Sequence, residues 1–168
     1  MKTIFSVTQG ILLGCVVSKN GIMIDPQRTQ AISNITHPSS KKAMQSFLGK
    51  NIFVRIFIPS FFEIIHPLQN MLKKDANFSW GNNEKESFKR IIEAIFEAPS
   101  LVSPDFNKNF KLHTFASDIS YVVVLTQRNQ QNHEVPISFM SSNFKGAKLN
   151  YHEVDRKSFV VFIVVKHF

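Results

Sequence analysis

The sequence predicts an α+β fold, in which a helical section precedes a short antiparallel sheet and a final helix. Between Pro26 and Ala98, apolar residues recur at helical spacing and prolines punctuate the chain. After Pro104, runs of β-branched and aromatic residues alternate with polar loops, which is typical of strands. Apolar residues form 43% of the 168 residues, enough for a hydrophobic core, so disorder throughout the chain is excluded.

Two apolar runs near the N-terminus predict a β-hairpin. They cover residues 11–17 and 22–24, and the pair Asn20-Gly21 between them is a strong turn signal. Lys2 followed by the apolar residues 11–15 also imitates a lipoprotein signal. Residues 8–10 interrupt the continuous apolar segment that such a signal requires, so a buried strand is our interpretation.

Capping residues predict where the first two helices begin. Asp25 followed by Pro26 indicates an N-cap with proline in the first turn, and this helix is expected to run to about Ile35. Ser39 or Ser40 is expected to open the second helix. Its apolar positions follow the helical period: Met44, Phe47, Leu48 and Ile52.

Prolines and acids organise the rest of the helical section. Pro59 and Pro67 are expected to divide a Phe-rich stretch into short helical pieces that end near residue 72. Asn82 or Asn83 is expected to cap a longer helix, with acids in its first turn, and Pro99 follows its end.

The C-terminal part predicts three strands and a helix. The strands are expected at residues 110–115, 121–127 and 135–142, and the helix at residues 151–168. The change from helical spacing to strand-like runs predicts a domain boundary within residues 101–106. The longest apolar runs, residues 121–125 and 159–165, are much shorter than the roughly 18–20 residues of a membrane-spanning helix, so no membrane partner is expected.

Charge and cysteine content narrow the functional classes. Twenty Lys and Arg against 12 Asp and Glu give a net charge of +8, which suits a nucleic-acid partner. The single cysteine, Cys15, excludes an internal disulfide framework and a multi-cysteine metal site. It fits a reducing, intracellular compartment.

Short motifs occur in a fixed order along the chain. They are Leu13-Gly14, Val17-Ser18 and Gly21-Ile22; Asp25-Pro26 and Ala31-Ile32; Ser46-Phe47-Leu48-Gly49, Arg55, Phe57-Ile58-Pro59 and Phe61; Pro67-Leu68, Phe78, Trp80, Phe88, Pro99 and Pro104-Asp105; Thr114, Ala116-Ser117-Asp118, Pro136-Ile137, Ser141-Ser142 and Asn150-Tyr151. From residue 5 to residue 168, this series resembles the Pol polyprotein of gypsy-class LTR retrotransposons. The resemblance implies a palm-end primer-grip hairpin in residues 1–25, reverse transcriptase thumb and connection helices in residues 26–100, and the N-terminal part of an RNase H-like domain in residues 101–168.

The resemblance also implies that catalytic carboxylates are missing. The polymerase aspartates of the family lie upstream of the primer grip, outside the residues that match. The family's first RNase H aspartate corresponds to Phe115, and its glutamate on the first helix corresponds to Lys157. The parent family uses Mg²⁺, but no cofactor is expected for this chain. Asp118, Glu153 and Asp155 could form a replacement carboxylate set; the alternative is a turn residue and two acids of a helix's first turn.

A basic segment is the candidate for nucleic-acid binding. No acid lies between Pro26 and Phe62, and the segment contains five cations: Arg28, Lys41, Lys42, Lys50 and Arg55. Such side chains suit phosphate contacts, although an ordinary solvated face is the alternative. Four phenylalanines here could stack on bases or pack in the core: Phe53, Phe57, Phe61 and Phe62.

The expected function follows from the resemblance. The parent polyprotein performs RNA-directed DNA synthesis and hydrolyses the RNA strand of RNA/DNA hybrids. This chain is expected to be catalytically inactive, to keep weak binding to a hybrid or primer–template, and to pair with the remainder of a polyprotein. A non-catalytic protein-interaction module and a hydrolase with unfamiliar acids are the alternatives. Because its RNase H-like sheet is incomplete, the chain is also expected to be poorly stable alone.

Overall fold

The computed structural model describes residues 8–167 and confirms the α+β fold. It contains two three-stranded antiparallel sheets, with strand orders β1-β2-β3 and β4-β5-β6, and a helical section between them in the chain. Lys2 of the signal-like pattern, Phe5 and Phe168 lie outside the described residues. In the described part of the chain, no helix has both the length and the apolar character needed to cross a bilayer.

The first sheet contains one strand more than the sequence predicts. Its strands are β1 (Gln9–Leu12), β2 (Cys15–Ser18) and β3 (Gly21–Ile24). The prediction of one strand over residues 11–17 is wrong, because Leu13 and Gly14 have φ angles of 52° and 82° and form a two-residue turn between β1 and β2. The predicted hairpin between β2 and β3 is confirmed by the pairing of Ser18 with Gly21.

The first two helices begin at residues that the sequence indicates. Helix α1 (Pro26–Ser33) has Asp25 as its N-cap, whose carboxylate accepts a hydrogen bond of 3.0 Å from the Gln27 N–H. Helix α2 (Lys41–Asn51) has Ser40 as its N-cap, whose hydroxyl accepts a bond of 3.2 Å from the Ala43 N–H. A 3₁₀ turn, Ile52–Ile56, continues α2.

Two details of the next helices differ from the sequence prediction. Pro67 lies inside α3 (Phe61–Asn70) instead of dividing it. The lost N–H removes one hydrogen bond near the end of a helix whose inner face, with Phe61, Ile65 and Leu68, is fully buried. Helix α4 (Asn82–Phe96) begins after Gly81, so neither asparagine is the N-cap. Glu84 instead accepts a 3.0 Å hydrogen bond from the Gly81 N–H.

The larger core joins the helices to both sheets. Its buried members include Ile24 of β3, Leu101 and Phe139, together with apolar residues of α2, α3 and α4. Phe57 and Phe61 have no exposed surface, so for these two the core interpretation is confirmed and base stacking is excluded. The backbones of Ile22 and Leu101 exchange two hydrogen bonds of 2.8 Å, which join β3 to the segment after α4.

The second sheet is covered on both faces. It contains β4 (Lys111–Ala116), β5 (Ser120–Arg128) and β6 (Glu134–Asn143), close to the predicted bounds. Helix α5 (Glu153–His167) packs Val160 and Val164 against Tyr121 and Val123. Phe139 and Val124 on the opposite face join the helical core.

Candidate nucleic-acid interface

The outer face of α2 is a polar strip. Met44, Phe47 and Asn51 are buried on the inner face. The exposed positions recur at helical spacing: Lys42, Gln45, Ser46, Gly49 and Lys50. A β-carbon at Gly49 would meet no atom within 4 Å, so nothing stands above the strip at that position. The two lysines are eight positions apart in the sequence, which places them about 12 Å apart along the helix axis.

The two lysines of the α2 strip are free of competing partners. Within residues 8–167, neither the Lys42 nor the Lys50 ammonium forms a hydrogen bond or ion pair with another side chain. The strip also belongs to the segment from Pro26 to Phe62, which contains no acid. The charge of the strip is therefore available to an anionic partner.

Arg28 supports the strip from beside its C-terminal end. Its guanidinium donates a 2.9 Å hydrogen bond to the Lys50 carbonyl and lies 3.7 Å from the centroid of the Phe53 ring. The side chain is half-buried and joins α1 to the end of α2. Its positive charge adds to that of Lys50, while its position is fixed by the fold. Partial burial raises the pKa of the nearby Cys15 thiol, with a smaller opposing effect of Arg28.

Lys41 and Arg55 lie away from the strip. The Lys41 ammonium donates a 2.7 Å hydrogen bond to the Lys73 carbonyl, so it stabilises the contact between the start of α2 and the end of α3. Arg55, on the 3₁₀ turn, lines a cleft beside Ser138, Ser141 and Ser142 of β6. Sequence reasoning missed this neighbourhood, because more than 80 residues separate the arginine from the serines and no local pattern links them.

The two positions that the resemblance assigns to RNase H carboxylates have side chains without a metal donor. Phe115 is 60% exposed and pairs with Val122. Lys157 is exposed on α5, and its ammonium lies 2.5 Å from the Glu153 carboxylate. The hydrogen bond from Lys157 holds the pKa of Glu153 below its usual value.

The candidate replacement acids have ordinary structural roles. Asp118 lies in the turn between β4 and β5, and its carboxylate is 2.7 Å from the Arg156 guanidinium. Glu153 and Asp155 stand in the first turn of α5, as the alternative interpretation states. Over residues 8–167, no group of three or more His, Cys, Asp or Glu side chains is arranged to hold a metal ion.

An ion-pair cluster crosses the second sheet. Glu134 of β6 accepts hydrogen bonds from the ammonium of Lys111 and, at 3.0 Å, from Nε2 of His113 on β4. The bond from Lys111, supported by His113, lowers the pKa of the Glu134 carboxyl. The cluster ties the two outer strands together over β5.

The arrangement of β4, β5, β6 and α5 matches a known family. A model of the RNase H-like domain found in reverse transcriptase matches residues 80–168, which is more than half of the chain. The chain belongs to this family. The RNase H-like chain is also 28% identical over 166 residues to the transposon Tf2-3 and Tf2-4 polyproteins of Schizosaccharomyces pombe. The alignment includes 99% of the RNase H-like chain but only 12% of the length of each polyprotein.

Solved structures show the same fold. A foamy viral protease–reverse transcriptase in complex with dsDNA superimposes with a TM-score of 0.78 and 23% identity. The match covers 95% of the RNase H-like chain and 33% of the foamy viral chain. The same enzyme in complex with an RNA/DNA hybrid gives a TM-score of 0.78, also at 23% identity, and the match covers 22% of that chain. Together, the family model, the transposon polyproteins and these folds confirm the resemblance to a retroelement Pol polyprotein.

The residues present in the RNase H-like chain do not fit the family's Mg²⁺. That ion prefers carboxylate and water oxygens in octahedral geometry. Phe115 offers no donor atom, and the Lys157 ammonium repels a cation. The nearby acids Asp118 and Glu153 are already paired with cations.

Proposed function

We propose that the RNase H-like chain binds the phosphate backbone of nucleic acid, without sequence preference and without hydrolysing it. The observation that carries the proposal is the α2 strip, where Lys42 and Lys50 are exposed and, in the described part of the chain, unpaired in a segment without acids. Lysine contacts to phosphate supply affinity but read no base sequence.

The shape of the strip supports close contact with a duplex. Between the lysines stand Gln45, Ser46 and Gly49, and the glycine leaves open space above the helix. The distance of about 12 Å between the lysines corresponds to roughly three to four base-pair steps of 3.4 Å. Arg28 fixes the end of the strip and adds positive potential there.

The comparisons supply independent support. Two of the solved structures that share the fold are complexes with dsDNA and with an RNA/DNA hybrid. The polyprotein relatives are transposon proteins, of which the RNase H-like chain spans 12% of the length. Weak binding, with a dissociation constant of roughly 10⁻⁴–10⁻⁶ M at physiological salt, is typical of sequence-independent phosphate contacts.

The non-catalytic part of the proposal rests on the side chains at the family's metal positions. Two-metal hydrolysis requires carboxylates that hold both ions about 4 Å apart. Phe115 and Lys157 supply none, and the Asp118 and Glu153 carboxylates face arginine and lysine instead. We propose binding alone as the activity of this chain.

Charge reversal on the strip tests the proposal. Affinity for a fluorescent RNA/DNA hybrid is measured by anisotropy at several salt concentrations for the double variant Lys42→Glu, Lys50→Glu. The matched control reverses two exposed cations of α4, Lys85→Glu and Arg90→Glu, so both variants have the same net charge.

The strip variant is expected to bind at least about tenfold more weakly than the control. The plot of log K against log salt is expected to become less steep by about 1.8, which is about 0.9 for each lost contact. Lys41 is left unchanged, because its ammonium holds the segment after α3. Equal losses in the two variants would show that general charge, and not the strip, binds the hybrid.

A protein-interaction module remains the second candidate, favoured by apolar residues on the outer face of α5. These residues are exposed although the inner face of the helix is packed: Val154, Val161, Phe162 and Val165. Hybrid binding with the steep salt dependence described above distinguishes the first candidate from the second.

A further inference from the structure

A cleft at the free edge of the second sheet contains an unpaired arginine. Within residues 8–167, β5 is the only strand that pairs with β6, so β6 lies at an edge of its sheet; near the start of the strand the Pro136 carbonyl accepts a 2.9 Å hydrogen bond from the Val102 N–H. A cleft of about 240 Å³ follows that edge along residues 138–142, and Arg55, Ile56 and Phe62 form the opposite wall. Within residues 8–167, the Arg55 guanidinium has no hydrogen bond and no ion pair.

The sheet side of the cleft supplies a hydroxyl group. Ser141 is only 8% exposed, and its buried Oγ has no hydrogen-bond partner among residues 8–167. Buried polar atoms are nearly always paired, so an unpaired hydroxyl beside a cleft indicates a missing partner. Ser138 and Ser142 also line the cleft, but side chains alternate along a strand, so theirs lie on the face of β6 opposite to that of Ser141.

The charge and the donors of the cleft select an anion. A guanidinium has five N–H donors and no acceptor, and a serine hydroxyl can donate. None of the residues that line the cleft is acidic. Glu63, the nearest acid along the chain, lines a different hollow with Ser60 and Phe115. The cleft therefore offers donors from two walls and positive charge from one.

We propose that this cleft binds a phosphate group, which the Arg55 guanidinium and the Ser141 hydroxyl hold from opposite walls. The fork of a guanidinium matches two phosphate oxygens, and a tetrahedral anion accepts hydrogen bonds from several directions at once. The phosphate belongs to a nucleic-acid backbone or to a free phosphate compound. Only the first source rests on the proposed function.

The first arm of the test uses inorganic phosphate and the full chain. Binding is followed by NMR at the Ser141 amide and the Arg55 Nε–H. Arg55→Gln is expected to weaken phosphate binding about tenfold or more, because it removes a charge-assisted pair. Ser141→Ala is expected to weaken it about threefold or more, with the melting temperature unchanged or raised, because the buried hydroxyl has no protein partner. Lys85→Gln, which removes one exposed charge from α4, leaves phosphate binding unchanged.

The second arm uses the RNA/DNA hybrid and the same variants. If Arg55→Gln weakens hybrid binding more than Lys85→Gln does, the phosphate of the cleft belongs to the backbone. If Arg55→Gln leaves hybrid binding unaffected but weakens the binding of inorganic phosphate, the phosphate belongs to a free phosphate compound. That result supports the phosphate site in the cleft.

Two results would overturn the proposal of a phosphate site in the cleft. In the first, added phosphate causes no NMR shift at Ser141 and Arg55. In the second, wild type and Arg55→Gln bind phosphate equally well. Loss of hybrid binding in Lys42→Glu, Lys50→Glu leaves the proposed function standing in either case, so the two proposals fail separately.

Discussion

Gly21→Ala tests the junction between the first sheet and the rest of the molecule. Gly21 has a φ of +126°, which L-amino acids rarely adopt, and a β-carbon there would lie 2.1 Å from the Leu101 carbonyl oxygen. The next residue, Ile22, exchanges two backbone hydrogen bonds of 2.8 Å with Leu101. An added methyl group therefore forces the segment after α4 away from β3.

The size of the effect follows from these contacts. Two hydrogen bonds contribute about 1 kcal/mol each, and the left-handed conformation adds about 1–2 kcal/mol of strain. We expect the free energy of unfolding to fall by about 3–4 kcal/mol and the melting temperature by about 6–16 °C for a chain of this size. Urea denaturation followed by Trp80 fluorescence measures the first quantity, and calorimetry the second.

Gly49→Ala is the matched control. Gly49 lies in α2 with open space around it, so alanine there is expected to raise stability by about 0.5–1 kcal/mol. If Gly21→Ala were as stable as wild type, or responded like Gly49→Ala, the close approach of Leu101 to β3 would be refuted.

Three further predictions concern catalysis, pH and association. The double variant Phe115→Asp, Lys157→Glu is expected to show no Mg²⁺-dependent cleavage of an RNA/DNA hybrid in a gel assay, because two carboxylates do not fix two ions. Cleavage by the unmodified chain would contradict the assignment of both positions. Glu134 has a lowered pKa in the folded state, so its contribution to stability is present above its unfolded pKa and is lost as pH falls through the folded value. Urea melts of Glu134→Gln are expected to show a weaker loss of stability below about pH 5 than wild type, and identical profiles would contradict this. Phe162→Lys with Val165→Lys is expected to reduce self-association in sedimentation velocity without lowering stability, because both side chains are mostly exposed; loss of folding would show that the outer face of α5 is packed.

The starts of α1 and α2 and the strands of the second sheet were predictable because their signals are local. Asp25 and Ser40 cap α1 and α2 through hydrogen bonds to residues two or three positions away, so the pattern is complete in a short window. The start of α4 shows the limit of such reasoning. The sequence offers Asn82 and Asn83 as equally good N-caps, but the helix begins after Gly81. Pro67 shows another, since the buried face of α3 outweighs a single lost hydrogen bond.

The candidate site was predictable in composition but not in arrangement. The sequence places five cations in one acid-free segment and implies Phe115 and Lys157 at the family's catalytic positions. The sequence does not show that the Lys41 ammonium bonds the Lys73 carbonyl while the Lys42 ammonium has no partner in the described part of the chain. That difference depends on where α3 ends in space. The division into residues 1–25, 26–100 and 101–168 stays a prediction.

The sequence by itself determined the fold class, because caps and periodicity are local properties. The order of its motifs indicated the family, and that resemblance implies that Phe115 and Lys157 stand where the family has carboxylates. Only the tertiary structure decided that Arg28 lies over the Phe53 ring and bonds the Lys50 carbonyl, that Phe115 is exposed, and that Arg55 and Ser141 line one cleft. These facts depend on contacts between residues far apart in the chain, which packing of the helical core against the second sheet brings together. Burial and pairing of a charged or polar group are set by those contacts, and not by its neighbours in sequence.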